Sequence, residues 1–419
     1  MVRYGICSAW PQKGVPHYMD AANRLQRSRL ALVTFGHFLN DSYGSFFAPL
    51  LPVLIEKLSL SLTAASGLAA IPSLTSALFQ PLYGMASDRI RGRGFIILGP
   101  LLSVVCMGAL GIVPHAFLVA FLLLLAGLGS AAFHPQAVAA AGTVSGARRG
   151  LGIAVFTFGG SLGFAVGPLA IIGAVQVLGL DRSYYIILPG LLGVLVLLVA
   201  LQVPTGTIDR ARTASLVEAF QGVQGPMALL FTVAVLREVT RLVIATFLPV
   251  VLAMQGRSLV AGGLTLSLFS LAGALGGMVG GALSDGWGRK RIIAGSGLLC
   301  VPFLYGIFHT EGLVALVCLT LGAGTLSGAN SVVIAMAQEL VPTRAGTASS
   351  LVMGLGWGVA GMVLMGFGSL AEGIGVPRAL DLTMTVPLLA FGLSLWLPPH
   401  GAPPHARAPR GGAYALHEE

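Results

Sequence analysis

Residues 84–94 read Gly84-Met85-Ala86-Ser87-Asp88-Arg89-Ile90-Arg91-Gly92-Arg93-Gly94, and residues 280–291 read Gly280-Gly281-Ala282-Leu283-Ser284-Asp285-Gly286-Trp287-Gly288-Arg289-Lys290-Arg291. Each stretch follows the second long apolar run of its half of the chain and passes from small residues to an Asp, then to a Gly and a basic cluster. The two aspartates stand roughly half a chain length apart, which marks an internal duplication. An Asp at a helix end beside a basic, tightly turned loop can pair with neighbouring helix ends through charge and helix dipole. A bias of positive charge toward one membrane face does not explain why Asp and Gly recur at the same place. Asp88, Arg89, Arg93, Asp285, Arg289 and Lys290 are therefore read as a repeated gating loop.

The flanking sequence requires a membrane. Of 419 residues, 55% are hydrophobic and 9% charged, and the mean hydropathy is +0.88. A soluble domain carries roughly 25% charged residues, so a cytoplasmic enzyme, a nucleic-acid binder and a disordered scaffold are excluded. The net charge of +9 is topological rather than a nucleic-acid footprint. A helix crosses the hydrocarbon in about 20 apolar residues. Such runs fall near 31–55, 62–86, 94–113, 116–140, 150–176, 183–203, 226–252, 260–284, 292–309, 311–337, 346–371 and 380–397. The expected fold is an all-α membrane protein of twelve transmembrane helices in two six-helix halves. Its parts are an N-terminal segment 1–29, a first half 30–203, a linker 204–225, a second half 226–397 and a Pro/Gly-rich tail 398–419 with no reason to fold. The segment 1–29 has no early apolar run, so no cleavable signal peptide is expected, and Met19 is an alternative start.

Placing the N-terminus inside puts 18 Lys and Arg in inner segments and 4, namely Lys57, Arg182, Arg257 and Arg378, in outer ones. Both termini and the linker are accordingly expected in the cytoplasm. Glycine, at 58 residues, lies largely within the spans, where small residues let helices approach closely. Cys7, Cys106, Cys300 and Cys318 have no metal-like spacing. No nucleotide loop or sodium cluster is evident, and neither metal nor cofactor is expected.

Ionisable residues inside spans are functional candidates. Span 1 carries His37 and Asp41, one helical turn apart on one face, with Asn40 beside them; span 4 carries His134 before Pro135; span 7 carries Arg237, Glu238 and Arg241. Asp41, His37, His134 and Glu238 are proton-coupling candidates, since an acid whose neighbours change between states can load and release a proton. Asn40, Arg237, Arg241 and His134 are substrate-binding candidates. Glu238 and Arg241 can pair locally, which leaves one net positive charge. Arg241 is the first choice for an anion because its planar fork holds a carboxylate or phosphonate bidentately. Each has a structural alternative: a capping Asp41, a carbonyl-satisfied His37, a kink at His134-Pro135, a local charge network in span 7. In span 5, Gly159, Gly163 and Gly167 form a flat face ahead of Pro168, which removes a helix hydrogen bond.

With these residues assembled, the chain resembles a major facilitator superfamily transporter, the two loops matching that superfamily's motif between helices 2 and 3 and between helices 8 and 9. The stretches His37-Phe38-Leu39-Asn40-Asp41, Phe133-His134-Pro135 and Ala337-Gln338-Glu339-Leu340 resemble the fosmidomycin-resistance efflux family. Span 5 resembles the superfamily's antiporter motif, although Ile171 and Ile172 replace its paired glycines. The resemblance implies a secondary transporter of the bacterial inner membrane, a proton antiporter exporting a small organic compound, with anionic, drug-like molecules as the expected class. It implies no enzyme activity and no nucleic-acid partner, with the monomer as the working unit. The alternative is a proton-coupled importer of an organic acid or other small nutrient. The charge split makes the topology testable: a cysteine placed at Pro398 is expected to resist a membrane-impermeant reagent applied to intact cells, and labelling from outside would overturn the orientation.

Overall fold

The computed structural model describes residues 26–87, 93–145, 149–202 and 220–399. Asp88, Arg89, most of the 204–225 linker, and the segments before residue 26 and after 399 lie outside the described residues.

The described residues form twelve helical segments that follow the duplicated sequence. In the first half these are α1 (Arg27–Gly44 continued by Phe47–Leu58), α2 (Leu62–Ser87), α3 (Gly94–Gly108), α4 (Ala116–Val144), α5 (Arg149–Leu178) and α6 (Ile187–Ala200, entered through a 3₁₀ turn at Leu180–Ile186). In the second half they are α7 (Gln224–Met254), α8 (Leu259–Trp287), α9 (Arg289–His309), α10 (Gly312–Ser327 continued by Asn330–Leu340), α11 (Ala345–Ser350, Leu351–Leu355 and Gly356–Ile374) and α12 (Val376–Ser394). Among the described residues, 10 helices are long and apolar enough to cross a membrane unaided; α1 and α7 are the two that are not. The reason lies in their side chains. α1 buries His37, Asn40, Asp41 and Ser42, and α7 buries Arg237 and Glu238. Such residues are tolerable at membrane depth only inside the bundle.

Expected span 1 is broken where Ser45 Oγ donates to the carbonyl of Ser42 (2.7 Å) and the backbone turns through Ser45 and Phe46. Hydroxyls that bond the local backbone compete with helix propagation, and Pro49 then falls in the first turn of the continuation, where its missing N–H costs nothing. Expected span 10 is likewise broken at Gly328 and Ala329, and α11 carries one π-turn at Leu351–Leu355. Lipid-facing surfaces read directly from spacing: Leu188, Leu192, Leu195 and Val199 form an exposed stripe on α6.

Within the first half α1 packs on α5 and α3, and α4 on α2 and α3; within the second, α7 packs on α11 and α12, and α10 on α8 and α9. The halves meet where α2 runs along α11 and α5 along α8. One end of the bundle carries Arg93, Arg289, Lys290 and Arg291 and is called here the basic face; the other is the opposite face. Toward the opposite face a single apolar core passes through both halves, with the rings of Phe247 and Phe367 4.6 Å apart. Toward the basic face the core divides: Leu30, Ile96, Phe133 and Leu201 form one cluster, and Met227, Ile293, Val333 and Leu340 another. The opposite face is also tied by polar contacts between halves. The Thr63 N–H donates to Glu372 Oε1 (2.8 Å), its hydroxyl to Glu372 Oε2 (2.7 Å), and Ser66 Oγ to the carbonyl of Met365 (3.2 Å). Glu372 thus places a carboxylate on the first turn of α2, where the helix dipole favours it.

Candidate functional site

Asp41, His37 and His134 meet inside the first half. His37 Nε2 lies 3.1 Å from Asp41 Oδ2, and His134 Nε2 lies 3.7 Å from Asp41 Oδ1. Helix geometry supplies the first contact, because residues four apart share a face; the packing of α4 on α1 supplies the second. His37 and Asp41 are buried, and the His37 ring stacks on Phe156 at 4.1 Å and meets His134 edge-on at 5.2 Å.

The hydrogen-bond directions decide what this cluster holds. His37 Nδ1 lies 2.8 Å from the carbonyl of Phe156, and His134 Nδ1 lies 2.8 Å from the carbonyl of Ser130. A carbonyl only accepts, so each Nδ1 carries the hydrogen. In the neutral ring each Nε2 is then a lone pair, and it faces a carboxylate oxygen, another acceptor. Two acceptors at 3.1 Å in a buried site repel unless a proton lies between them. The pair is therefore either imidazolium with carboxylate or imidazole with carboxylic acid, and both hold one proton on the same axis. Asp41, His37 and His134 gather their donor atoms within 4.8 Å. Of these contacts the His37–Asp41 pair alone is at hydrogen-bond distance, the His134 nitrogen standing farther off at 3.7 Å.

The glycines of α5 make room for this arrangement. Gly159, Gly163 and Gly167 pack on the backbone of α1 at Thr34, Phe38 and Ser42. Gly160, in the same run, is closest to the chemistry: a β-carbon built there would lie 2.4 Å from His37 Nε2 and 2.7 Å from Asp41 Oδ2. Pro168 stands farther along α5, where its carbonyl approaches Gly263 of α8.

Asn40 is 2% exposed and donates from Nδ2 to Asp41 Oδ1 (2.9 Å), which ties it to the carboxylate. In the second half Arg241 turns its fork on Glu238, with Nε donating to both carboxylate oxygens and Nη2 to Oε1, and its guanidinium lies 6.0 Å from the Trp357 ring. The buried charge with no carboxylate partner among the described residues is that of Arg237, which is 3% exposed. Its Nη2 donates to the carbonyls of Leu326 and Thr325, at the C-terminal end of the first piece of α10, where a helix dipole favours a cation. Its Nε and Nη1 have no hydrogen-bond partner among the described residues.

Of the two repeated basic loops, the second is described. Arg289 donates to Asp285 Oδ1 (2.6 Å), to Ser284 Oγ and to Glu339 Oε1 (3.1 Å), tying α8, α9 and α10 within one half. Gly280 is the point of close approach, since a β-carbon there would lie 1.8 Å from the carbonyl of Gly328 at the break in α10. Lys290 follows Arg289 at the start of α9. In the first loop, Arg93 donates to the carbonyl of Leu201 at the end of α6. Sequence reasoning did not select Gly160, Ser103, Glu339 or Trp357 as site residues. Glu339 lies within the Ala337-Gln338-Glu339-Leu340 stretch, and Gly160 stands beside Gly159 on α5.

The glycine argument is testable. Gly160→Ala is expected to destabilise the protein by ~1–3 kcal/mol through overpacking, and His37→Ala in the same chain is expected to recover part of that loss. A thermal-stability double-mutant cycle reads the coupling; strictly additive effects would show that Gly160 does not press on His37.

Comparison with known proteins places this geometry. The model of the Major Facilitator Superfamily matches residues 30–412. The chain is 26% identical over 382 residues to the "Fosmidomycin resistance protein" of Escherichia coli (strain K12), covering 88% of this chain and 92% of the relative. It is 26% identical over 389 residues to the "Uncharacterized MFS-type transporter YfnC" of Bacillus subtilis (strain 168), with the same coverage of 88% and 92%. Its fold is similar to that of a bacterial homologue of the human lysosomal transporter Spinster in an inward-facing, unoccupied conformation, with a TM-score of 0.73, 16% identity, and coverage of 91% of this chain and 97% of that one. The chain belongs to the Major Facilitator Superfamily and is a membrane transporter, not an enzyme.

Proposed function

We propose that this transporter is a proton-coupled antiporter that exports a small organic compound from the cytoplasm of a bacterial cell, with Asp41 as the coupling acid and His37 and His134 as its proton partners. The observation that carries this reading is the 3.1 Å approach of two acceptors, His37 Nε2 and Asp41 Oδ2, which requires a proton between them. A group that must hold a proton in one arrangement, and can lose it when its neighbours separate, is what coupling needs. The apolar core shared at the opposite face and divided at the basic face supports a cavity open to the basic side. The excess of Lys and Arg makes that side cytoplasmic.

Export rests on the glycine face and Pro168 of α5 and on the likeness to the fosmidomycin resistance protein. Gly263 of α8 meets Ile172 and Pro168, so the glycine-rich helix reaches the second half at the closed end. Arg241 and Arg237 support an anionic substrate class, with Arg241 as the accessible contact and Glu238 as its partner, released or retained as the cavity changes shape. The gating role of the basic loops rests on Arg289 joining Asp285 to Glu339. Import of an organic acid is the second reading, favoured by the same arginines without the α5 argument.

The test is uptake into proteoliposomes under an imposed pH gradient, with a panel of phosphonates, drugs and organic acids that begins with fosmidomycin. Wild-type vesicles are expected to concentrate at least one compound in the antiport direction, and Asp41→Asn to abolish gradient-driven accumulation by tenfold or more while keeping downhill exchange. Full accumulation by D41N would place the coupling acid elsewhere. Accumulation only in the symport direction would make the protein an importer.

A further inference from the structure

Asp41 is held by more than its histidines. Ser103, on α3, is 1% exposed, and its hydroxyl donates to Asn40 Oδ1 (2.9 Å), while Asn40 Nδ2 donates to Asp41 Oδ1 (2.9 Å). Hydroxyl, amide and carboxylate thus form one string in which every donor points toward Asp41. We infer that Ser103 is a positioning residue for the proton site: through Asn40 it fixes Asp41 Oδ1 as an acceptor and confines the proton to the Oδ2 side, toward His37. This inference rests on the reading of Asp41 as the proton carrier.

The argument follows from what each group can do. An ionised carboxylate accepts only, so Asn40 must present its NH₂ to Oδ1. That leaves the Asn40 carbonyl facing away and buried, and a buried carbonyl without a donor costs free energy. Ser103 supplies that donor from a neighbouring helix, and the string is polarised in the sense that favours the anion. If Asp41 instead carried its proton on Oδ1, the amide would have to turn over and Ser103 would have to become an acceptor. In the observed arrangement the proton stays on the axis to His37. The groups facing Asp41 are few: His37 from its own helix, His134 from α4, the uncharged Ser103 string from α3, and Gly160 and Gly163 from α5. No second charge on α3 or α5 is placed to take over Ser103's part among the described contacts.

The consequence has a sign. Without the Ser103 donor, the Asn40 amide is a weaker support for the anion and is free to turn, so the acid form of Asp41 persists to higher pH. Ser103→Ala is therefore expected to move the titration of the Asp41 carboxyl upward by about one pH unit, corresponding to about 1.4 kcal/mol, and Ser103→Thr, which keeps the hydroxyl, to restore it. The experiment is an infrared pH titration of the full-length protein in lipid, following the carboxylic acid C=O band that D41N removes. No substrate is needed. Matching titrations of S103A and the parent would overturn the inference, as would an S103T that behaves like S103A. A shifted S103A band together with gradient-driven transport by D41N would leave Ser103's role standing and remove the coupling role of Asp41, so the two claims fail separately. Thermal unfolding of S103A and S103T checks that both are folded, and a shift confined to S103A in equally stable proteins is the expected result.

Discussion

A carboxylate buried against two imidazoles sets the terms for the first half of this protein. Each ring spends its Nδ1–H on a main-chain carbonyl, His37 on Phe156 and His134 on Ser130, and so turns a lone pair toward Asp41. In the proposed reading a proton lies between His37 and Asp41, and the surrounding helices pack closely about that pair. α5 approaches through Gly160 because no side chain fits there, α1 ends its first piece within a turn of Asp41, and α3 sends Ser103 to support Asn40. These buried polar groups add to the polarity of α1, which is divided into pieces of 18 and 12 residues and is not among the helices long and apolar enough to cross a membrane. Its polar residues are bought with close packing on every side.

The second half is built on the same plan with different chemistry. α7, its counterpart to α1, places Arg237, Glu238 and Arg241 in mid-helix where α1 places His37 and Asp41. Arg241 and Glu238 neutralise each other, and Arg237 sits behind them against the broken end of α10. A buried cation that rests on carbonyl dipoles alone keeps a positive potential in its surroundings. The halves are joined by a common core and by the Glu372 contacts to α2 at one face, and separate into two cores at the other. Interconversion of such states must exchange these contacts for others at the basic face, where the Arg289 cluster holds the helix ends of the second half together.

Much of this was legible in the sequence, for identifiable reasons. Helices in lipid need long apolar runs, so most of the spans follow from hydropathy, ten of them as helices long and apolar enough to cross a membrane among the described residues, and the repeated loops locate the duplication. The His37–Asp41 contact follows from a spacing of four on a helix, and the Glu238–Arg241 pair from a spacing of three. Contacts between helices were not legible, because they depend on rotation and depth. Spacing within α1 cannot reveal Ser103 on α3, and a glycine-rich α5 does not say which glycine faces the acid. Spacing pairs Arg241 with Glu238 and leaves one positive charge over, and geometry shows that this charge is Arg237, a buried guanidinium with no carboxylate partner among the described residues. The breaks in α1 and α10 escape hydropathy because serines and glycines that interrupt a helix do not interrupt an apolar run.

The central claim is that His37 and Asp41 share a proton because the other nitrogen of the ring is committed to the backbone. Solid-state nitrogen-15 NMR of histidine-labelled protein in bilayers tests it directly, with H37Q used to assign the His37 signals. The account predicts that Nδ1 of His37 stays protonated across the whole pH range, and that Nε2 changes its environment in one step that D41N removes. A neutral His37 protonated on Nε2 at alkaline pH would contradict it, since the ring would then simply donate to Asp41 and no shared proton would be required.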